Sequence, residues 1–322
     1  MYRGASSSNW FLMERLEYLL LRLLLGLLAR LPWWVIHCLC RLSAFLLEHV
    51  LHYRRKVIRE NLANSFPEKS EAERRKIERD FYLQFAYNFL STPKLLRLPS
   101  HEIMERHFLI PDLTPLRQVF EEHPCAFAAL GHLGNWELFS TGQLYFDQLG
   151  VTMDQVYRPL KSKLMDEFFA RQRQAFGATL TPKAQVARRL VEHLNAAEGK
   201  TLMAMITDQA PGMGHVHYFT LFLNQATAIL DGVERLARKY NLPVLYFDIE
   251  RVSPVRFVGR FRLITDSPRE LPPLAITEQY TRLLEETIRR DPASWLWSHR
   301  RWKRPLSDYP EATLSEALRD QE

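Results

Sequence analysis

The chain has 322 residues, 47% hydrophobic and 25% charged, with a formal net charge of +6. That balance supplies a sizeable core and excludes a largely disordered chain. Its basic residues cluster locally, in Tyr53-Arg54-Arg55-Lys56 and His299-Arg300-Arg301-Trp302-Lys303, without a nucleic-acid-binding motif. Such clusters suit acidic lipid headgroups or an acidic carrier protein, with a plain solvated face as the competing reading.

A leucine-rich run covers 16–31, interrupted by Glu17, Arg22 and Arg30. As a helix it reaches about 24 Å, short of the roughly 30 Å of a bilayer's hydrocarbon core. Starting it at Phe11 adds length but brings in Glu14 and Arg15, which need an interface or a partner. Trp10, Trp33 and Trp34 flank the run as interfacial aromatics do, and a basic stretch at 54–59 follows. The run therefore predicts a membrane anchor or inserted interfacial helix, and 35–51 predicts an amphipathic helix beside it, together forming an N-terminal segment over 1–52. The early charges and the lack of a cleavage site argue against a removable signal peptide. Cys38, Cys40 and Cys125 make no zinc or redox pattern and fit a reduced cytosolic environment.

A helix is predicted at 70–91, with Phe81, Phe85 and Phe89 four apart. Beyond it, short apolar runs at 126–130, 151–157, 178–181, 202–206, 244–249 and 257–264 read as strands. Helical patterns fall between or after them at 136–148, 163–176, 184–197, 228–240 and 278–290. This alternation predicts an α/β fold over 53–310, a mostly open sheet flanked by helices on both faces, followed by a tail at 311–322.

The run Gly131-His132-Leu133-Gly134-Asn135-Trp136-Glu137 sits where a strand gives way to a helix, at the carboxyl edge of the sheet that ligands favour. A turn there lets Glu137 reach back to one imidazole nitrogen of His132 and fix the tautomer. The other nitrogen is then free to take a proton from a substrate hydroxyl. Gly131 and Gly134 permit a tight turn, and free N–H groups at the helix start are candidate oxyanion donors. No G-x-S-x-G elbow supplies an enzyme nucleophile. By itself a His-x4-Glu pair is more often the mark of a structural histidine.

The heptapeptide resembles the H-x4-(D/E) box of the lipid A late acyltransferases, the lauroyl and myristoyl transferases of the lysophospholipid acyltransferase-like superfamily. Further segments are similar to that family in order. They are Tyr53-Arg54-Arg55-Lys56 with Asn61-Leu62 and Ser65-Phe66-Pro67-Glu68, Tyr157-Arg158-Pro159-Leu160, Arg173 with Gly177, Asp208-Gln209, and the terminal Trp295-Leu296-Trp297-Ser298-His299-Arg300-Arg301-Trp302-Lys303. The resemblance spans roughly 10–305. It implies an inner-membrane enzyme facing the cytosol that moves a fatty acyl chain from acyl carrier protein, or another acyl thioester, to a hydroxyl of a lipid A precursor. It further implies His132 as general base, Glu137 as its orienting partner, and Asn135, Arg158 and Asp208 as substrate-binding residues, with no cofactor or metal. Lys161-Ser162-Lys163 and the Phe222–Thr227 segment depart from the family pattern, which bears on acceptor and chain-length selectivity.

Several readings compete with these. Arg158 also suits a strand end, Asp208 a turn before Pro211, and His299 either packing or catalysis, while His215-x-His217 has no evident third metal ligand. A lipid-binding protein without turnover, an acyl thioesterase, and a lysophospholipid or aminolipid acceptor are the alternative functions.

Overall fold

The computed structural model describes residues 6–196 and 199–320. Its strands are β1 (Phe108–Leu109), β2 (Cys125–Leu130), β3 (Val151–Tyr157), β4 (Thr179–Pro182), β5 (Lys200–Ile206), β6 (Tyr218–Phe222), β7 (Gln225–Ala228), β8 (Val244–Ser253), β9 (Arg256–Thr265) and β10 (Thr313–Leu314). The main helices are α1 (Ser6–Leu28), α2 (Trp33–Phe45), α3 (Arg55–Ser65), α4 (Glu71–Leu90), α5 (Thr114–Glu122), α6 (Lys163–Arg173), α7 (Val186–Leu194), α8 (Gly232–Tyr240) and α9 (Ala275–Arg290).

Seven strands form one sheet in the order β1-β9-β8-β2-β5-β3-β4. The pairs β8–β2, β2–β5, β5–β3 and β3–β4 are parallel, whereas β8 and β9 are antiparallel neighbours, so the sheet is mixed. Strand β2 is buried along its whole length, which its unbroken sequence CAFAAL anticipates for a strand covered on both faces. The α/β class and the flanking helices match the sequence expectation. The β6–β7 hairpin was not anticipated: its two turn residues, Leu223 and Asn224, have φ of +50° and +62°, as a two-residue type I′ turn requires. Because 225–228 is strand, the helix expected from 228 begins only at Gly232.

The helix expected at 136–148 is broken as well. A 3-10 stretch runs over Trp136–Gly142, followed by one α turn over Gln143–Phe146. The Ser140 and Thr141 hydroxyls donate to the carbonyls three residues back, Glu137 and Leu138, at 2.8 and 2.7 Å. These bonds fit the tighter i to i+3 winding.

Helix α4 starts on a capping box, in which Ser70 and Glu73 each serve the other's backbone N–H. It packs against α2, whose Ile36, Cys40 and Ala44 lie four apart and enter the same core as the strands. Helix α1 has two apolar faces. Leu28 is buried, and Tyr18 meets Phe168 of α6 edge-on at 5.9 Å. On the opposite side Leu16, Leu19, Leu20, Leu23, Leu24 and Leu27 are all more than half exposed. At 100° per residue these six share one continuous stripe. On α2, Trp34, Leu42 and Phe45 form a second exposed apolar face. Among the described residues no single helix is long and apolar enough to cross a membrane. The helices at 33–50 and 55–65 reach that length and apolarity only as a pair bent by 90°.

Candidate active site

Strands β2 and β5 lie side by side with Leu130 opposite Ile206. His132 follows the end of β2 by two residues, and Asp208 follows the end of β5 by two. Parallel neighbours about 4.8 Å apart therefore deliver both side chains to the same point on the sheet edge. The turn between them must be thin. A Cβ on residue 131 would sit 2.7 Å from Leu284 Cδ1 and 3.4 Å from Asp208 Oδ2, so glycine is required for the approach.

Asp208 is 3% exposed and takes three N–H groups. Its Oδ1 accepts from His132 Nδ1 at 2.6 Å, and its Oδ2 accepts from the backbone N–H of His132 and the indole N–H of Trp295, both at 2.8 Å. Burial alone would raise the Asp208 pKa, but the His132 imidazole and these donors outweigh it and hold the carboxyl down to about 2. An ionised carboxylate only accepts, so the hydrogen resides on Nδ1 and the lone pair on Nε2. Burial likewise disfavours the imidazolium of His132. The Asp208 carboxylate, joined by Glu137, overcomes that and leaves the pKa above the ordinary histidine value. The ring rests against the edge of Trp136, with centroids 5.1 Å apart.

Nε2 of His132 lies 3.4 Å from Gln209 Nε2, and both residues line a cavity of about 450 Å³. Leu130, Phe139, Val156, Ala204 and Ile206 give it apolar walls, while Glu137, Tyr157, Arg158 and Arg173 bring polar groups. Phe89, Leu160 and Phe169 belong to the same lining and are also exposed to the outside. A cavity of this size with few, convergent polar groups is typical of a small-molecule or chain-binding site.

Glu137 is near the imidazole but does not hydrogen-bond it, contrary to the sequence expectation. Its two oxygens accept from Nε and Nη2 of Arg173 at 3.0 and 2.8 Å. The reason is geometric. Glu137 lies in the first turn of the 3-10 stretch and faces the last residue of α6, where the guanidinium offers a two-pronged match, while Asp208 already occupies Nδ1. Arg158 follows β3 directly and is exposed at the cavity, on the same edge as His132 and Asp208.

Asn135, expected to touch substrate, turns away from the cavity. It is 1% exposed and donates through Nδ2 to Thr92 Oγ1 at 2.8 Å, which braces the turn against the end of α4. Asn88 of α4 adds a bond from its Nδ2 to the Gly134 carbonyl at 2.6 Å. In the turn before the helix start the backbone N–H groups are taken: that of His132 by Asp208, that of Leu133 by the Gly131 carbonyl, and that of Gly134 by the Ser294 carbonyl.

A family model described as bacterial lipid A biosynthesis acyltransferase matches residues 10–304. The chain belongs to that family. It is an acyltransferase acting on lipid A precursors, as the sequence resemblance implies. A comparison with curated proteins returns no match.

In this lipid A acyltransferase the terminal tryptophan-rich segment forms the back of the site. Leu133 bridges to Trp295, and Trp295 and Trp297 pack edge-on at 4.8 Å. His299 Nε2 accepts the Ala210 N–H at 3.3 Å; burial, with help from Lys303, lowers its pKa to about 4, so it stays neutral. His299 thus supports the loop after Asp208. Sequence reasoning missed the pairing of His132 with Asp208, the Trp295 bond to Asp208 and the pairing of Arg173 with Glu137. The equal two-residue offsets of His132 and Asp208 beyond their strands were the available signal for the first of these. His215 and His217 are exposed before β6, and no group of three metal-ligating side chains occurs among the described residues.

Proposed function

We propose that the enzyme transfers a fatty acyl chain from acyl carrier protein, or another acyl thioester, to a hydroxyl of a lipid A precursor, with His132 as general base. The observation that carries this reading is the His132–Asp208 pair, buried on its Nδ1 side and open to an apolar-walled cavity through Nε2. The acceptor hydroxyl gives its proton to Nε2 as its oxygen adds to the thioester carbonyl. Collapse of the tetrahedral adduct breaks the carbon–sulfur bond, and the imidazolium returns the proton to the leaving thiolate. Asp208 keeps the imidazole in the base-competent tautomer and stabilises its charged form. Glu137, held by Arg173, adds a second negative charge beside the ring, and Arg158 at the rim suits a phosphate of the acceptor.

The outward leucine stripe of α1 and the apolar face of α2 support docking at the inner membrane, with the cavity opening toward the bilayer surface. Phe89, Leu160 and Phe169 at the rim give a lipid chain an apolar path inward. Mass spectrometry of total lipids tests the reading, comparing cells that carry the wild-type gene, no gene, or His132→Ala. Lipid A species should lose one acyl group in the last two. Unchanged lipid A in the His132→Ala cells would refute the assignment of the base.

A further inference from the structure

We propose that Gln209 is a further catalytic residue of the acyl transfer: its side-chain amide N–H stabilises the oxyanion that forms when the acceptor hydroxyl adds to the thioester carbonyl. The inference rests on the reading of His132 as the base and extends it to the second charge that develops in the same step.

Gln209 follows Asp208 directly, and its amide nitrogen meets the working nitrogen of the base, Nε2 of His132, at 3.4 Å. Because Asp208 holds the imidazole hydrogen on Nδ1, Nε2 can only accept, so the NH2 end of the amide is the end that faces it. Both residues line the cavity, and among the described residues the Gln209 side chain makes no other hydrogen bond. The contact is longer than the roughly 2.7–3.2 Å of a well-formed bond. It is therefore weak, and an acceptor hydroxyl that takes the lone pair of Nε2 displaces it at little cost. The backbone is held on either side. Asp208 is buried beneath its three N–H donors, and the Ala210 N–H donates to His299 Nε2 at 3.3 Å. The amide thus turns on a fixed backbone, beside the atoms that react.

In the step itself the hydroxyl proton passes to Nε2, the hydroxyl oxygen bonds to the carbonyl carbon, and the carbonyl π pair moves onto its own oxygen. That oxygen shares a carbon with the attacking oxygen that touches Nε2, so it comes within reach of a donor stationed 3.4 Å from Nε2. The displaced amide N–H then bonds to the developing negative charge. On collapse the pair re-forms the carbonyl, the carbon–sulfur bond breaks, and the imidazolium gives its proton to the thiolate. Several other donors near the imidazole are engaged elsewhere: the N–H groups of His132, Leu133 and Gly134 by their acceptors, and Arg173 by Glu137. A donor already in place between apolar walls needs little reorganisation as the charge appears, which is where such donors act most strongly.

The test reads the oxyanion separately from the base, with full-length enzyme in detergent. Dodecylphosphonate linked through sulfur to the pantetheine arm of acyl carrier protein carries a negative oxygen on a tetrahedral centre, whereas the dodecyl thioether of the same carrier has no such oxygen. Gln209→Ala should lose about 10²–10³-fold in phosphonate affinity and in kcat alike, with thioether affinity unchanged. Gln209→Met, which keeps the side-chain length, gives the same readout where the alanine variant does not fold. A folded variant with kcat within about tenfold of wild type, or with phosphonate and thioether weakened equally, overturns the proposal. So does a raised kcat, since the amide would then merely cover the base. Repeating the binding in a His132→Ala background separates the two readings, because phosphonate affinity there should still fall with Gln209→Ala. That fall, together with transfer retained by His132→Ala, removes His132 as the base and leaves Gln209 as the oxyanion donor.

Discussion

Replacing Asp208 by asparagine conserves volume, removes the charge and reverses the tautomer of His132. One amide oxygen can occupy the Oδ2 position and accept the His132 and Trp295 N–H groups. The amide NH2 then faces Nδ1 across 2.6 Å and turns that nitrogen into an acceptor. The hydrogen moves to Nε2, and no lone pair faces the cavity. The expected loss in kcat is about 10³–10⁴-fold, the scale seen when a histidine–carboxylate pair is set in the wrong tautomer, with KM little changed. Stability changes too. A carboxyl held at about 2 against an ordinary 3.8 stabilises the fold at neutral pH by an amount on the order of 2 kcal/mol. Because the folded pKa is the lower one, that contribution is full above the unfolded value and is lost as pH falls from about 4 toward 2. The asparagine variant should therefore be less stable at pH 7, with the gap to wild type closing on acidification through that window. Denaturant melts at several pH values and steady-state transfer assays read both effects. A variant within tenfold of wild-type kcat, or a gap that does not narrow, would refute the reasoning.

Four further outcomes are expected. Transfer should rise with pH through a midpoint above 6.5, because the base must be unprotonated and the His132 pKa is raised; a limb centred below 6.5 contradicts this. The Glu137–Arg173 pair, each side chain roughly a quarter to a third exposed, should give a coupling energy of about 1 kcal/mol or less in a double-mutant cycle on stability using Glu137→Gln and Arg173→Met. Gly134→Ala should cost about 2–4 kcal/mol in a thermal melt, since residue 134 has φ +51° and its Cβ would lie 2.8 Å from the Phe257 ring. Replacing Leu20, Leu23 and Leu27 together by glutamate should cut co-sedimentation with anionic liposomes without lowering the melting temperature, as all three point outward.

The sheet was legible because its strands carry apolar runs, as in 126–130 and 244–247, and these signals are local. The hairpin at 218–228 was not, since its turn is Leu-Asn rather than the glycine-bearing pair that usually marks a type I′ turn. His132 was legible as a histidine between two glycines after a strand. Its true hydrogen-bond partner was harder to find, because proximity in sequence favoured Glu137. The partnership with Asp208 spans 76 residues and depends on the neighbour order of β2 and β5. Asn135 likewise points toward Thr92, a contact that the local motif does not contain. The leucine run announced an apolar helix but not that its two sides do different work, Tyr18 and Leu28 packing inward while six leucines face out.

The most direct test of His132 as the base is a single-turnover assay with purified wild-type and His132→Ala enzyme, using acyl carrier protein loaded with a fatty acid and a lipid A precursor, with the product read by mass spectrometry. Wild type should add one acyl group, and the alanine variant, still folded by circular dichroism, should react at least 10³-fold more slowly, on the order expected for loss of a positioned base. Transfer by His132→Ala at a rate near wild type would contradict that role.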